Sequence, residues 1–187
     1  MITLVTGGSG SGKSAYAESL LYSCEGIRYY IATMQVYDVE GRKKVARHQR
    51  LRAGKGFQTI EQTRDIHKVA EIIVRDRKQT ENAALLECMS NLVANEMFGG
   101  EAEDSASRMS ETEREDFLVE KVTGGIRTLA EKLDKLVIVS NNVFEDGIPY
   151  DAQTMSYIRV LGRVNQELAR MADHVTEVIV GIPVKVK

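Results

Sequence analysis

The residues best suited to chemistry form a glycine-rich loop near the start of the chain, Gly7-x-x-x-x-Gly12-Lys13-Ser14. Glycines at these positions let backbone N–H groups converge on phosphate oxygens without Cβ clashes. At this spacing, Lys13 is expected to reach the β- and γ-phosphates of a nucleotide, and Ser14 to hold Mg²⁺. The loop residues predicted to contact the nucleotide are Gly7, Gly8, Ser9, Gly10, Ser11, Gly12, Lys13 and Ser14.

The segments on either side of the loop decide how specific this motif is. A short apolar run at residues 2–5 predicts a buried strand before it, and residues 15–22 predict a helix directly after it. The N-terminal end of that helix adds a positive dipole and unpaired N–H groups at the phosphates. The alternative, a flexible Gly/Ser turn that matches by chance, does not account for a strand and a helix at these places.

Strands and helices alternate along the rest of the chain. This alternation predicts a three-layer α/β fold of the P-loop NTPase (RecA-like) type, with a mostly parallel sheet and helices on both faces. Further strands are predicted at residues 28–32, 83–86, 135–140 and 175–180, with 184–187 as an edge strand or hairpin arm. Further helices are predicted at residues 39–52, 63–77, 117–133 and 157–172, and another begins at residues 92–98.

Composition limits the function classes. With 187 residues we expect one catalytic domain, in which the acidic stretch 99–116 forms a mobile surface insertion. With a net charge of -2, no overall positive potential attracts the protein to nucleic acid or to an anionic membrane. No apolar run in the sequence is long enough to span a bilayer. The start of the chain does not resemble a signal peptide. Two cysteines and three scattered histidines favour neither a disulfide framework nor a zinc site, so we expect a cytoplasmic protein with free thiols.

Ligands of parallel α/β sheets bind beyond the carboxyl ends of the strands, which gathers several short segments into one site. Glu87 follows a strand as a second nucleotide-binding acid would, and is expected to hold Mg²⁺ through water or to contact the nucleotide; the alternative is a simple strand-end carboxylate. Thr33 is either a site residue or a turn hydroxyl. Asn141 and Asn142 are either site residues or turn formers.

His48 lies in a segment rich in lysine and arginine, residues 42–52. Such cations suit a polyphosphate, and neutral imidazole is a good nucleophile near neutral pH. A solvated helix face or an RNA-contacting helix remains an alternative, although the segment lacks the interleaved aromatic residues of a single-strand binder.

Several motifs together resemble one family, the bifunctional adenosylcobinamide kinase/adenosylcobinamide-phosphate guanylyltransferases of cobalamin biosynthesis. The resemblance covers nearly the whole chain. It rests on the loop at residues 4–14 and on Tyr30-Ile-Ala-Thr33, Val45-Ala-Arg-His48, Thr59-Ile-Glu61, Leu85-Leu-Glu-Cys88, Leu92-Val-Ala-Asn95, Val139-Ser-Asn141, Gly147-Ile-Pro149, Gly162-Arg-Val-Asn-Gln166 and Gly181-Ile-Pro-Val-Lys-Val-Lys187.

The resemblance implies phosphorylation of adenosylcobinamide with ATP or GTP, followed by transfer of GMP from GTP to adenosylcobinamide phosphate through a guanylylated His48. It also implies a homotrimer. By position, the guanine-nucleotide contacts would be Thr33, Met34, Gln35, Gln49, Arg50, Leu51, Arg52, Glu61 and Glu87.

The chain departs from the family pattern at three places, one of which is the acidic stretch 99–116. One residue more than usual lies between His48 and Glu61, and the usual proline is absent there. Asn142-Val-Phe144 replaces the family's Glu-Val-Gly, so an acidic group of the kinase half is missing. Two other function classes therefore stay open: a P-loop small-molecule kinase without guanylyl transfer, and a non-catalytic GTP-binding regulator.

Overall fold

A seven-stranded sheet organises the chain in the computed structural model, which describes residues 1–35, 54–73, 81–99, 109–143, 147–148 and 150–187. The strand order is β3-β2-β4-β5-β1-β6-β7, and all pairings are parallel except β6 with β7. The strands are β1 (Ile2–Thr6), β2 (Arg28–Ala32), β3 (Phe57–Glu61), β4 (Ala83–Glu87), β5 (Lys135–Val139), β6 (His174–Ile179) and β7 (Ile182–Lys185).

Helices cover both faces of this sheet, which confirms the predicted three-layer α/β fold. The helices are α1 (Lys13–Ser19), α2 (Val69–Ile72) after a 3₁₀ turn (Ile66–Lys68), α3 (Met89–Phe98), α4 (Glu111–Ala130) and α5 (Ala152–Met171). Helix α1 packs on one face, while apolar residues of α2, α3, α4 and α5 form the larger core on the other. No helix in the described ranges is both long enough and apolar enough to cross a membrane.

The central strands carry continuous apolar runs because both of their faces are buried. In β4, Ala84 and Leu86 belong to the larger core, and Ala83 and Leu85 to the core under α1. All four side chains are 0% exposed. This packing fixes the end of β4, where Glu87 lies, beside the end of β1, after which the phosphate loop begins.

The structure corrects several predicted boundaries. Strand β3 was missed, because its exposed Gln58 and Thr59 leave little apolar pattern at the sheet edge. The helix predicted from residue 63 is wrong at its start, since a 3₁₀ turn begins at Ile66. Helix α5 begins at Ala152, five residues before the predicted start at Tyr157. Residues 184–187 were expected as an edge strand or arm, and β7 is an edge strand that forms a hairpin with β6.

Helix α4 begins at Glu111 rather than at residue 117, so residues 111–116 of the predicted acidic insertion are helical. Its start is a capping box in which the Ser110 hydroxyl accepts from the Glu113 N–H, and the Glu113 carboxylate accepts from the Ser110 N–H. The acidic residues that suggested an insertion therefore favour the helix N-terminus. Residues 100–108 and the whole of the predicted helix at 39–52 lie outside the described residues, as do residues 74–77 of the helix predicted at 63–77.

Candidate active site

The phosphate loop connects β1 to α1 in the way the motif predicts. Its glycines take backbone conformations that suit glycine: Gly10 has φ +73° and Gly12, at the start of α1, has φ +91°. The Lys13 ammonium donates to the Gly8 carbonyl at 3.0 Å and is largely buried inside the loop. Burial lowers the pKa of Lys13, while the nearby Cys88 and Glu87 oppose that shift.

One buried hydroxyl in this loop fits a bound phosphate. Ser11 Oγ is shielded from solvent, and the described residues offer it no hydrogen-bond partner. Buried polar atoms are nearly always paired, so an unpaired buried hydroxyl in this loop is consistent with a partner supplied by a ligand. The loop residues therefore suit the polyphosphate of a nucleotide.

Ser14 and Glu87 meet beside the loop. The Ser14 hydroxyl donates to Glu87 Oε1, and the Tyr30 hydroxyl donates to Glu87 Oε2 at 2.6 Å. A hydroxyl and a carboxylate are oxygen donors of the kind that Mg²⁺ prefers. Within the described ranges no group of three or more His, Cys, Asp or Glu side chains is arranged for a metal ion. One carboxylate and one hydroxyl fit a Mg²⁺ ion that takes its other ligands from water and phosphate.

Thr33 joins the ends of β2 and β4. Its hydroxyl donates to the Cys88 carbonyl and accepts from the Cys88 N–H, both at 2.8 Å. Its carbonyl accepts from Asn95 at 2.8 Å. The Thr33 side chain is 0% exposed, so its observed contacts position the strand ends. Met34 and Gln35, which follow it, are half-buried.

Glu61 and Glu87 end the strands on either side of β2. Both lie in register with Ala32, so they are two strand spacings apart, roughly 10 Å. Glu87 is engaged by Ser14 and Tyr30, whereas Glu61 is exposed at the sheet edge. The two carboxylates therefore occupy different environments along the same edge.

The strand end after β5 is held by polar pairs. Ser140 Oγ donates to Asn165 Oδ1 at 2.6 Å, which ties this end to α5 through the Gly-Arg-Val-Asn-Gln motif. Asn141 Nδ2 donates to Ser90 Oγ at 2.6 Å, and the Asn142 N–H donates to the Gly7 carbonyl at 3.2 Å. Asn141 and Asn142 thus connect the segment after β5 to the start of α3 and to the phosphate loop.

Two further groups at this end stay protonated at neutral pH. Burial raises the pKa of the Cys88 thiol, which disfavours the thiolate that a nucleophilic cysteine needs. Burial also raises the pKa of Tyr157 to about 12. The raised thiol pKa is the opposite of the shift that activates a nucleophilic cysteine.

The structure thus brings Lys13, Ser14 and Glu87 together at the loop, with Glu61 farther along the edge. His48, Gln49, Arg50, Leu51 and Arg52 lie outside the described residues, as does Phe144. Sequence reasoning assigned no role to Tyr30, Asn95 or Asn165, although all three stand in the quoted motifs. Their partners are 57, 62 and 25 residues away along the chain, so only the fold reveals these contacts.

The fold and the loop together define a nucleotide-binding protein of the P-loop class. Residues 3–186 match the family described as "Cobinamide kinase / cobinamide phosphate guanyltransferase", and the chain belongs to this family. The match confirms the kinase and nucleotidyltransferase activities, acting on cobinamide and its phosphate, that the resemblance implied.

Curated relatives align along the entire chain. The chain is 31% identical over 187 residues to "Bifunctional adenosylcobalamin biosynthesis protein CobU" of Salmonella typhimurium and, equally, to the protein of that name in Escherichia coli. Each alignment covers 100% of both chains. The "Bifunctional adenosylcobalamin biosynthesis protein CobP" of Pseudomonas aeruginosa is 26% identical over 187 residues, which is 100% of this chain and 98% of the relative.

Proposed function

We propose that the chain carries out two successive transfers from nucleotides bound at the phosphate loop, as a cytoplasmic enzyme of cobalamin biosynthesis. The first moves the γ-phosphate of ATP or GTP to the aminopropanol hydroxyl of adenosylcobinamide. The second moves GMP from GTP to the resulting phosphate, giving adenosylcobinamide-GDP and pyrophosphate. The observation that carries the proposal is Lys13, whose buried ammonium stands within the loop and close to the Ser14–Glu87 pair.

Lys13 serves both transfers because both develop negative charge on the same phosphates. In the first, the ammonium and the loop N–H groups stabilise the charge that spreads over the transferred γ-phosphoryl group. In the second, they stabilise the leaving pyrophosphate. Mg²⁺ would be held by the Ser14 hydroxyl and the Glu87 carboxylate, and would neutralise further charge on the phosphates.

His48 is the proposed nucleophile of the second transfer. An imidazole nitrogen attacks the α-phosphorus of GTP, an N–P bond forms, and the bond to the bridging oxygen of pyrophosphate breaks. An oxygen of adenosylcobinamide phosphate then attacks the same phosphorus, the N–P bond breaks, and the histidine is restored. Gln49, Arg50, Leu51 and Arg52, assigned by family position, would contact the nucleotide beside it.

Guanine recognition falls to Glu61 rather than to Glu87 in this proposal. Both oxygens of Glu87 already accept hydrogen bonds from Ser14 and Tyr30. The exposed Glu61 carboxylate stands at the same level of the sheet and can accept from the N1–H and amino groups of guanine. This division gives Glu87 the metal and Glu61 the base, with Met34 and Gln35 lying between them.

The test of the guanylyl-enzyme is a covalent label from α-labelled GTP. Wild type should give a label that survives denaturation and is lost in acid, His48→Ala should give none, and the exposed His67→Ala should be labelled like wild type. Lys13→Ala should impair both transfers, whereas His48→Ala should retain phosphorylation of adenosylcobinamide. Absence of a label on wild type, or equal loss of both activities in folded His48→Ala, contradicts the assignment.

A homotrimer is part of the same proposal. The β6–β7 hairpin ends the sheet and exposes Ile182, Val184 and Val186 by 62%, 44% and 65%. An apolar edge of this kind suits burial against another copy of the chain. Light scattering should give three times the 20.8 kDa chain mass, and a mass equal to one chain would contradict the trimer.

A further inference from the structure

A large open cleft adjoins the phosphate loop on the side away from Glu87. Its volume is about 910 Å³. It lies between the loop, the start of α5 and the end of β6. The described residues that line it include Gly8, Val143, Thr154, Ile158, Glu177 and Val180. Gly8 and Lys13 Nζ are in contact, so the cleft opens next to the position expected for the terminal phosphate.

The β6–β7 turn is fixed to the loop at this cleft. The Gly181 N–H donates to the Ser11 carbonyl at 2.8 Å. A Cβ added at Gly12 would lie 3.5 Å from the Gly181 Cα, so the two backbones pass close to each other. The turn therefore moves with the loop and presents its own side chain, Val180, to whatever occupies the cleft.

Val180 is held in a conformation that its side chain opposes. Its φ is +44°, in the left-handed region, where a β-branched residue is a genuine outlier and the strain costs folding free energy. Val180 is also 84% exposed, so packing within the chain does not compensate that cost. Strained residues of this kind cluster at ligand sites, and an apolar side chain kept here indicates a contact made only in a complex.

The sheet order separates the Val180 end of this cleft from the proposed guanine contacts. Thr33 follows β2, and Glu61 and Glu87 end β3 and β4; all three strands lie on one side of β1. Val180 follows β6, on the other side of β1. A nucleotide whose base reaches Glu61 leaves the cleft free, and the cleft then faces the γ-phosphate from the side on which an acceptor must approach.

We infer that this cleft binds the corrinoid acceptor, with the aminopropanol arm directed toward Lys13 and the ring edge lying against Val180. The inference rests on the proposed function, since it supplies the acceptor site of the kinase step. Its walls match a corrinoid, whose rim alternates methyl groups with amides. Val143, Ile158 and Val180 offer apolar contact, while Thr154 and Glu177 offer hydrogen bonds to amide groups.

The experiment measures phosphorylation of adenosylcobinamide by full-length wild type, Val180→Gly and Val180→Leu. Glycine relieves the backbone strain and removes the apolar contact, so Val180→Gly should raise the KM for adenosylcobinamide roughly five- to tenfold. Its KM for the nucleotide and its guanylyl labelling should not change, and its unfolding temperature should not fall. Val180→Leu keeps the apolar surface and should stay within about twofold of wild type.

Ile72→Ala is the matched control, because it truncates a 52% exposed apolar side chain on α2 that does not line the cleft. It should behave as wild type. A KM for the nucleotide that rises in Val180→Gly, or a KM for adenosylcobinamide that does not rise, overturns the inference while wild-type activity upholds the proposed function. If wild type fails to phosphorylate adenosylcobinamide, the proposed function fails first and the inference falls with it.

Discussion

Replacing Thr33 with valine separates a structural role from a nucleotide contact. Valine has nearly the shape of threonine and removes only the hydroxyl that joins Thr33 to Cys88. The Cys88 carbonyl keeps a second donor, the Leu92 N–H at 3.2 Å. The Cys88 N–H loses the Thr33 oxygen, and an unpaired buried donor costs about 1–3 kcal/mol.

For a chain of this length, 1 kcal/mol corresponds to about 2–4 °C in unfolding temperature, so Thr33→Val should unfold about 4–8 °C lower if the cost is about 2 kcal/mol. The assay is calorimetry or circular dichroism on the full chain, together with the KM for GTP. Thr33→Ser keeps the hydroxyl and should recover most of the loss. An unchanged unfolding temperature with a raised KM for GTP would refute this reasoning and make Thr33 a direct nucleotide contact.

Two other predictions concern charged groups. Hydrogen bonding by Lys121 at 2.9 Å, opposed by burial and supported by Lys68, holds the pKa of Asp65 at about 2. A lowered carboxyl pKa stabilises the fold above the unfolded pKa of about 3.9 and loses that effect as pH falls toward 2. Asp65→Asn should therefore lose less unfolding free energy than wild type between pH 5 and pH 3 in urea titrations, and equal losses would contradict the assignment. In kinase assays, Glu61→Gln should raise the KM for GTP but not the KM for ATP. Glu87→Gln should raise the Mg²⁺ concentration needed for the half-maximal rate with either nucleotide. A defect of Glu87→Gln that affects GTP alone would reverse the two roles.

Strands are predicted accurately from the sequence where both of their faces are buried and the residues form a continuous apolar run. The runs of β4 and β5 are apolar on both faces, and the sequence therefore predicts them within a residue. Strand β3 has one partner strand and exposes Gln58 and Thr59, so neither alternation nor an apolar run marks it. Helix starts were predicted late, because the capping residues Ser110 and Asp151 precede polar first turns rather than apolar ones.

The candidate site likewise contains residues that local sequence patterns predict and contacts that depend on residues far apart in the chain. Lys13 and Ser14 follow from spacing alone, because one short loop sets both positions. Glu87 follows from its place at a strand end. The contacts that hold Glu87 and its neighbours cannot be predicted from the sequence, because Tyr30 and Asn165 contact residues that are far away along the chain. The Thr33 hydroxyl hydrogen-bonds to Cys88 across the strand ends, a contact that positional transfer does not reveal, and its contact with a nucleotide stays a prediction.

If one loop binds the triphosphate in both transfers, groups outside the loop must determine whether the bond to the γ-phosphorus or the bond to the α-phosphorus is broken. In the proposed arrangement the γ-phosphate would face the cleft beside Gly8, so a corrinoid hydroxyl placed there would attack at that end of the triphosphate. Guanylyl transfer needs a nucleophile at the α-phosphorus, nearer the nucleoside, where the proposed base contact Glu61 stands on the far side of β1. In this proposal the acceptor of the first step and the nucleophile of the second therefore approach opposite ends of the triphosphate. In this proposal Lys13 and Mg²⁺ stabilise a transferred γ-phosphoryl group in the first step and departing pyrophosphate in the second, so the same cations serve both transfers.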